Sequence, residues 1–226
     1  MNKKDFLFLK FLILFLFSFF VMLCFSCADT EPGISSLHST LIYDYYSNNE
    51  SPKMRLSVFI SPSQDIRRAK SISVSNSMNG LSWKIENPKI STYENKNYFG
   101  YSSLVMPEEK NFSEGLYDVT FFDVADRSVT DSFNLVTLKS MTNSDNSFVK
   151  VSDVISRKAG TECTHQKIIL FDEIGKELFF GFYSSKLDSD EKILNIFPDA
   201  VTKRICFSMP NNSVVILLPE EKINKQ

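Results

Sequence analysis

Apolar residues follow two unlike patterns along this chain, one continuous and one alternating. Residues 11–25 are apolar apart from Ser18. From residue 40 onward the period is two. Met54, Leu56, Val58 and Ile60 alternate with Arg55, Ser57 and Phe59, and Pro62 ends the run. Ile72 and Val74 alternate, and Leu81, Trp83 and Ile85 follow the turn signal Asn79-Gly80. Residues 98–106 form a further run stopped by Pro107. Tyr117, Val119 and Phe121 alternate in the next, and residues 129–138 follow the polar turn 125–127. Alternation of this kind buries one face of a strand and solvates the other. Several such strands separated by turns predict a β-sandwich rather than a parallel sheet.

Residues 139–149, rich in Ser, Asn and Thr, read as a linker, and the pattern changes beyond them. Strands at 168–171 and 178–183 flank a polar hairpin loop. Asp188 with Glu191 three residues later offers a capping box for a short helix that Pro198 ends. Two more strands, 201–209 and 213–218, surround Pro210-Asn211-Asn212. This predicts a mainly β chain, with a sandwich over 40–138 and a smaller β-rich, α+β domain over 150–226. The second has few residues for a core of its own, so it is expected to pack on the first or to use a cross-link.

Residues 1–26 join a basic start, Lys3 and Lys4, to the apolar run and finish on Leu23-Cys24-Phe25-Ser26-Cys27. The segment resembles a bacterial lipoprotein signal peptide with its lipobox: an aliphatic residue upstream, a small residue at −1 and a cysteine at +1. The aliphatic residue stands at −4 instead of −3, a loosened pattern similar to that of spirochaete lipoproteins. The resemblance implies cleavage before Cys27 and a diacylglyceryl thioether on its sulfur. Ordinary secretory cleavage and a retained helix are the alternatives, although the charge-free stretch is shorter than the roughly 20 residues a bilayer span needs. Residues 27–39, polar with Pro32 and Gly33, read as a tether.

Trp83, and the run Met106-Pro107 to Glu114-Gly115-Leu116-Tyr117-Asp118-Val119, resemble an immunoglobulin-like or fibronectin type III-like module. The resemblance implies that Trp83 lies on a central strand. It also implies that Tyr117 opens the penultimate strand as a tyrosine corner, its hydroxyl bonded to upstream backbone. The last hairpin of the module would then have residues 123–127 at its tip.

Charge and cysteine content narrow the function. The chain has formal net charge −2, and residues 1–26 hold three lysines and one aspartate, so the mature part is about −4. No basic surplus remains to bind nucleic acid. Lys and Arg are scattered among acids along the chain, so an anionic membrane surface is not an expected electrostatic partner either. Once Cys27 is lipidated, Cys163 and Cys206 remain. In an oxidising compartment they form a candidate disulfide, closing a loop of roughly 40 residues for about 3–4 kcal/mol. The alternative is two buried free thiols.

Motifs for nucleophilic, phosphate-cradling and zinc chemistry are absent, so neither catalysis nor a cofactor or metal is expected. His38 falls in the tether and His165 before a strand. The acidic groups Asp188, Asp190 and Glu191, and Asp118, Asp123, Asp126 and Asp131, match no calcium loop. Tyr43, Tyr45 and Tyr46, or Tyr93, Tyr98 and Tyr101, could stack on a sugar, but strand aromatics more often pack across a sheet. The expectation is an exported lipoprotein, held by lipid on Cys27 at the inner membrane, outer membrane or cell surface. It would bind a protein partner through sandwich loops or a strand edge. The alternative is an envelope hydrolase or carbohydrate-binding protein with its site at the domain junction.

Overall fold

The first eight strands carry the alternating segments and pair in a specific order. They are β1 (Ile34–Asp44), β2 (Lys53–Pro62), β3 (Ala69–Asn76), β4 (Leu81–Ile85), β5 (Lys89–Tyr93), β6 (Lys96–Leu104), β7 (Gly115–Asp123) and β8 (Ser128–Leu135). The computed structural model describes residues 31–107, 111–145 and 147–224. The leader and Cys27 lie outside the described residues. One sheet runs β1-β2-β6-β5 and the other β4-β3-β7-β8. Lettered A to G in chain order, with β4 as C′, these are the A-B-E-D and C′-C-F-G sheets of an immunoglobulin-like sandwich.

The alternating residues meet between the sheets, as the pattern predicts. Leu41, Leu56, Val58, Ile60, Ile72, Val74, Val119 and Phe121 are all 0% exposed in one core cluster. Tyr117 opens β7, is fully buried, and donates its hydroxyl to Ser113 O at 3.0 Å. That is the expected corner. Asp123 at the hairpin tip accepts from the Ala125 and Arg127 amides and from the Arg127 guanidinium. Burial alone would raise its pKa, but these donors outweigh burial and hold the carboxyl below the ordinary range. Trp83 departs from expectation. It sits on β4, an edge strand, half-buried, stacked on Phe112 and donating Nε1–H to Val105 O at 2.9 Å.

Gly100 is required by a close approach. A Cβ there would lie 2.1 Å from Val58 O, beside the point where the β2–β6 register shifts.

The C-terminal part has the expected α+β character but builds no separate sheet. It holds α1 (Val151–Ile155), β9 (His165–Phe171), β10 (Glu177–Phe182), α2 (Asp190–Ile196), β11 (Thr202–Ser208), β12 (Val214–Leu217) and β13 (Glu221–Lys222). β12 pairs in parallel with β1, and the A-B-E-D sheet continues as β10-β9-β11-β12-β1-β2-β6-β5, with β13 beside β11. Val214 and Ile216 are fully buried in the sandwich core, and residues 32–226 form one compact unit. A second cluster, Ile168, Leu170, Leu187, Ile193, Ala200 and Ile223, packs α2 on the same side of the sheet.

Three segment boundaries move for physical reasons. The outer half of the expected tether is strand, because residues 34–44 pair with β2. The linker is pinned to β1. Leu138 N donates to the Tyr43 hydroxyl at 3.1 Å, and the Tyr45 hydroxyl donates to Val149 O at 2.7 Å. Helix α2 is capped by Ser189, whose side chain accepts from Lys192 N, while Asp188 instead pairs with Lys192 one turn on. The capping box does not form.

Candidate functional site

One face of the nine-stranded sheet is covered by the second sheet, α1 and α2, and among the described residues the other face is left to side chains of the strands themselves. Its centre is Asp44 on β1, 3% exposed. Its Oδ2 accepts from Arg55 Nε at 3.1 Å and its Oδ1 from Arg204 Nη2 at 2.7 Å. Arg55 also donates to Ser102 O at 2.6 Å, and Arg204 to Leu218 O at 2.9 Å. The cluster therefore ties β1, β2, β6 and β11 together. A carboxylate held at both oxygens by guanidiniums and 3% exposed cross-links the strands of the sheet.

The β9–β10 end of this face is aromatic. Lys167 Nζ lies 5.4 Å and 5.7 Å from the ring centres of Phe180 and Phe182 and donates to Asn212 Oδ1 at 2.7 Å. His165 meets Phe182 edge-on, with centroids 5.3 Å apart. Among the described residues strand β10 has β9 as its one neighbour, so its outer backbone edge is unpaired there. Phe180 and Phe182 there are 53% and 61% exposed. Rims of this kind template the addition of another strand.

The sequence-flagged residues are dispersed. Cys163 and Cys206 are free, buried thiols and form no disulfide. Cys163 belongs to the sandwich core, whereas Cys206 packs with Ile42 and Leu217 on the opposite face of the sheet. Burial pushes Cys163 up to about 12 and Cys206 to about 11. At neutral pH about one thiol in ten thousand or fewer is thiolate. Residues 32–226 should therefore resist iodoacetamide when folded and take up label at both cysteines in denaturant, counted by intact mass. Rapid native labelling would contradict the packing.

His38 lies on β1, not in a tether, and packs edge-on to Tyr98. Tyr43 and Tyr45 are 2% and 0% exposed, their hydroxyls spent on backbone, so neither can stack on a sugar. The acidic groups are distributed among cations and hydroxyls: Asp123 to Arg127, Asp126 to Lys70, Asp118 to Ser132, and Asp190 to Lys203 and Asn224. Among the described residues no three His, Cys, Asp or Glu side chains gather as a metal site.

Two clefts lie on the sandwich. One of about 550 Å³ is lined by Trp83, Lys84, Tyr101 and Val105, and one of about 430 Å³ by Lys53, Met54, Met106 and Phe148. Among the described residues, histidines and carboxylates do not line either cleft. No helix among the described residues is long and apolar enough to cross a membrane. The paired Asp44 cluster and the open β10 edge were not flagged by sequence. Asp44 and Arg204 are 160 residues apart, and no local pattern announces such a pair.

No protein-family profile matches this chain, and no curated protein matches it. Among solved structures it is similar to one described as "Crystal structure of tetra-tandem repeat in extending region of large adhesion protein". Identity is 8%, with 84% of this chain and 50% of that chain covered, and the TM-score is 0.23. This chain spans half the length of that structure, and a likeness at this score carries no argument. The immunoglobulin-like assignment rests on strand order.

Proposed function

We propose that this chain is a lipid-anchored lipoprotein of a bacterial cell envelope that binds a protein partner by strand addition along β10. The anchor is the acylated sulfur of Cys27, supported by the basic, apolar and small-residue order of residues 1–27. Two or more acyl chains hold a protein stably at a bilayer. The observation that carries the binding role is the unpaired edge of β10 with Phe180 and Phe182 exposed. Backbone donors and acceptors there give affinity to an extended segment, and the two rings give it selectivity.

Two measurements test this reading. Wild-type protein should enter the detergent phase on partitioning, and Cys27→Ala should stay aqueous or unprocessed. A photocrosslinker at position 184, just past β10, should capture a single envelope protein in cells, and one at position 131 on β8 should not. Phe180→Lys with Phe182→Lys should remove the crosslink. Equal capture from both positions, or capture that survives the double substitution, would refute strand addition.

A further inference from the structure

Strand register sorts the charges of the large sheet by face, which their order along the chain conceals. Lys53 lies opposite Asp44, and Lys167 opposite Cys206, which opposes Leu217 and through it Asp44. Lys222 lies opposite Thr202, two residues from Arg204 on β11. Lys89 lies opposite Gly100, which opposes Phe59, and Lys96 shares the parity of Gly100. All five lysines therefore project from the open face, and among the described residues none has a carboxylate partner. The acids on that face are Asp44, already held by two arginines, and Glu177 at the head of β10. The mature chain is about −4 overall by formal count, so its remaining surface is more acidic than the total. Tyr46, whose ring lies 5.5 Å from Lys53 Nζ, adds an exposed ring to the same face.

We propose that this open, lysine-rich face lies against an anionic lipid surface. Charge complementarity selects the occupant: unpaired ammonium groups on a broad, open sheet face match a plane of phosphate headgroups. The Tyr46 ring suits the headgroup depth, where aromatic residues concentrate. Ile34 lies seven positions beyond Cys27, and a fully extended chain of seven such steps spans at most about 25 Å. A lipid on Cys27 thus keeps β1 within reach of headgroups, and this clause rests on the anchor reading. The acidic remainder is repelled by the same surface, so the attraction orients the sheet as well as holding it. Each lysine strengthens partitioning about fivefold at low ionic strength.

Flotation of residues 32–226, which lack Cys27, tests the face without the anchor. Binding is expected to vesicles of mixed phosphatidylglycerol and phosphatidylcholine, not to phosphatidylcholine alone, and should be lost by about 0.5 M salt. Lys89→Glu, Lys96→Glu and Lys222→Glu combined should weaken it by at least about tenfold. The charge-matched control Lys84→Glu, Lys150→Glu and Lys158→Glu, off this face, should stay within about twofold of wild type. Circular dichroism checks that both triple variants fold. Failure to float, equal binding to neutral vesicles, equal effects of the two triplets, or retention by DNA but not vesicles would overturn the proposal. An unmodified Cys27 in the native protein, with flotation intact, would remove the anchor and leave this inference standing.

Discussion

Removing residues 150–226 is expected to abolish cooperative folding of the sandwich that remains. Val214 and Ile216 of β12, Val151 and Val154 of α1, and Cys163 are 0–2% exposed and belong to the sandwich core. Fully burying one aliphatic side chain contributes about 1.5–3 kcal/mol, so losing Val214 and Ile216 alone removes about 3–6 kcal/mol. Whole-domain stabilities are about 5–15 kcal/mol. The deletion also strips β1 of its parallel partner, leaving Leu41 to Asp44 as an unpaired rim that invites aggregation. Far-UV circular dichroism during heating and size-exclusion chromatography read the outcome. A monomeric fragment 32–149 with a sharp melt would mean that the C-terminal strands are a dispensable appendage.

The second large effect is expected at Asp44. Asp44→Ala leaves Arg55 and Arg204 facing each other, with side chains 22% and 15% exposed. Removing one member of a buried ionic cluster costs about 3–5 kcal/mol, because the surviving charges stay desolvated without compensation. The arginines here keep some solvent and their backbone acceptors, which places the loss near the lower end, about 3 kcal/mol. Asp44→Asn should cost less, since it still offers an acceptor. Replacing Asp44, Arg55 and Arg204 together by apolar residues should recover much of the loss. Urea titration of the three variants separates these cases. A loss under about 1 kcal/mol for Asp44→Ala would show that the cluster is effectively solvated.

The alternating segments gave away β2, β3 and β7 because one face of each is buried and the other wetter, and β4 and β8 keep the same period although only Ile85 and Leu135 of them are buried. Tyr117 was legible for a similar reason, since a corner is a local device spanning four residues. Strand β5 was not legible. All five of its residues are exposed, and its turn to β6 uses Glu94 and Asn95 at positive φ without a glycine to mark it. The outer half of β1 was hidden because Ser35, Ser36, His38 and Ser39 read as tether, although pairing with β2 makes them strand. The immunoglobulin-like resemblance places Trp83 on a central strand, but an indole with one donor is equally satisfied at an edge, bonded to Val105 O. The basic face and the Asp44 cluster were invisible for a deeper reason. Both arise from the junction of β1 with β12, and one-dimensional charge spacing carries no trace of that contact.

The parallel pairing of β1 with β12 also imposes an order on synthesis. Leu41 finds Val214 across 173 residues of chain, so β1, once made, waits for β12 before its sheet can close. Contacts this remote are slow to form, since much of the loop must be ordered before the pairing rewards it. A nascent chain emerging end-first therefore spends most of its passage with an adhesive N-terminal strand lacking one neighbour. Ribosomes that terminate early on this message should yield material fit for holdase chaperones and proteases rather than a partly working product.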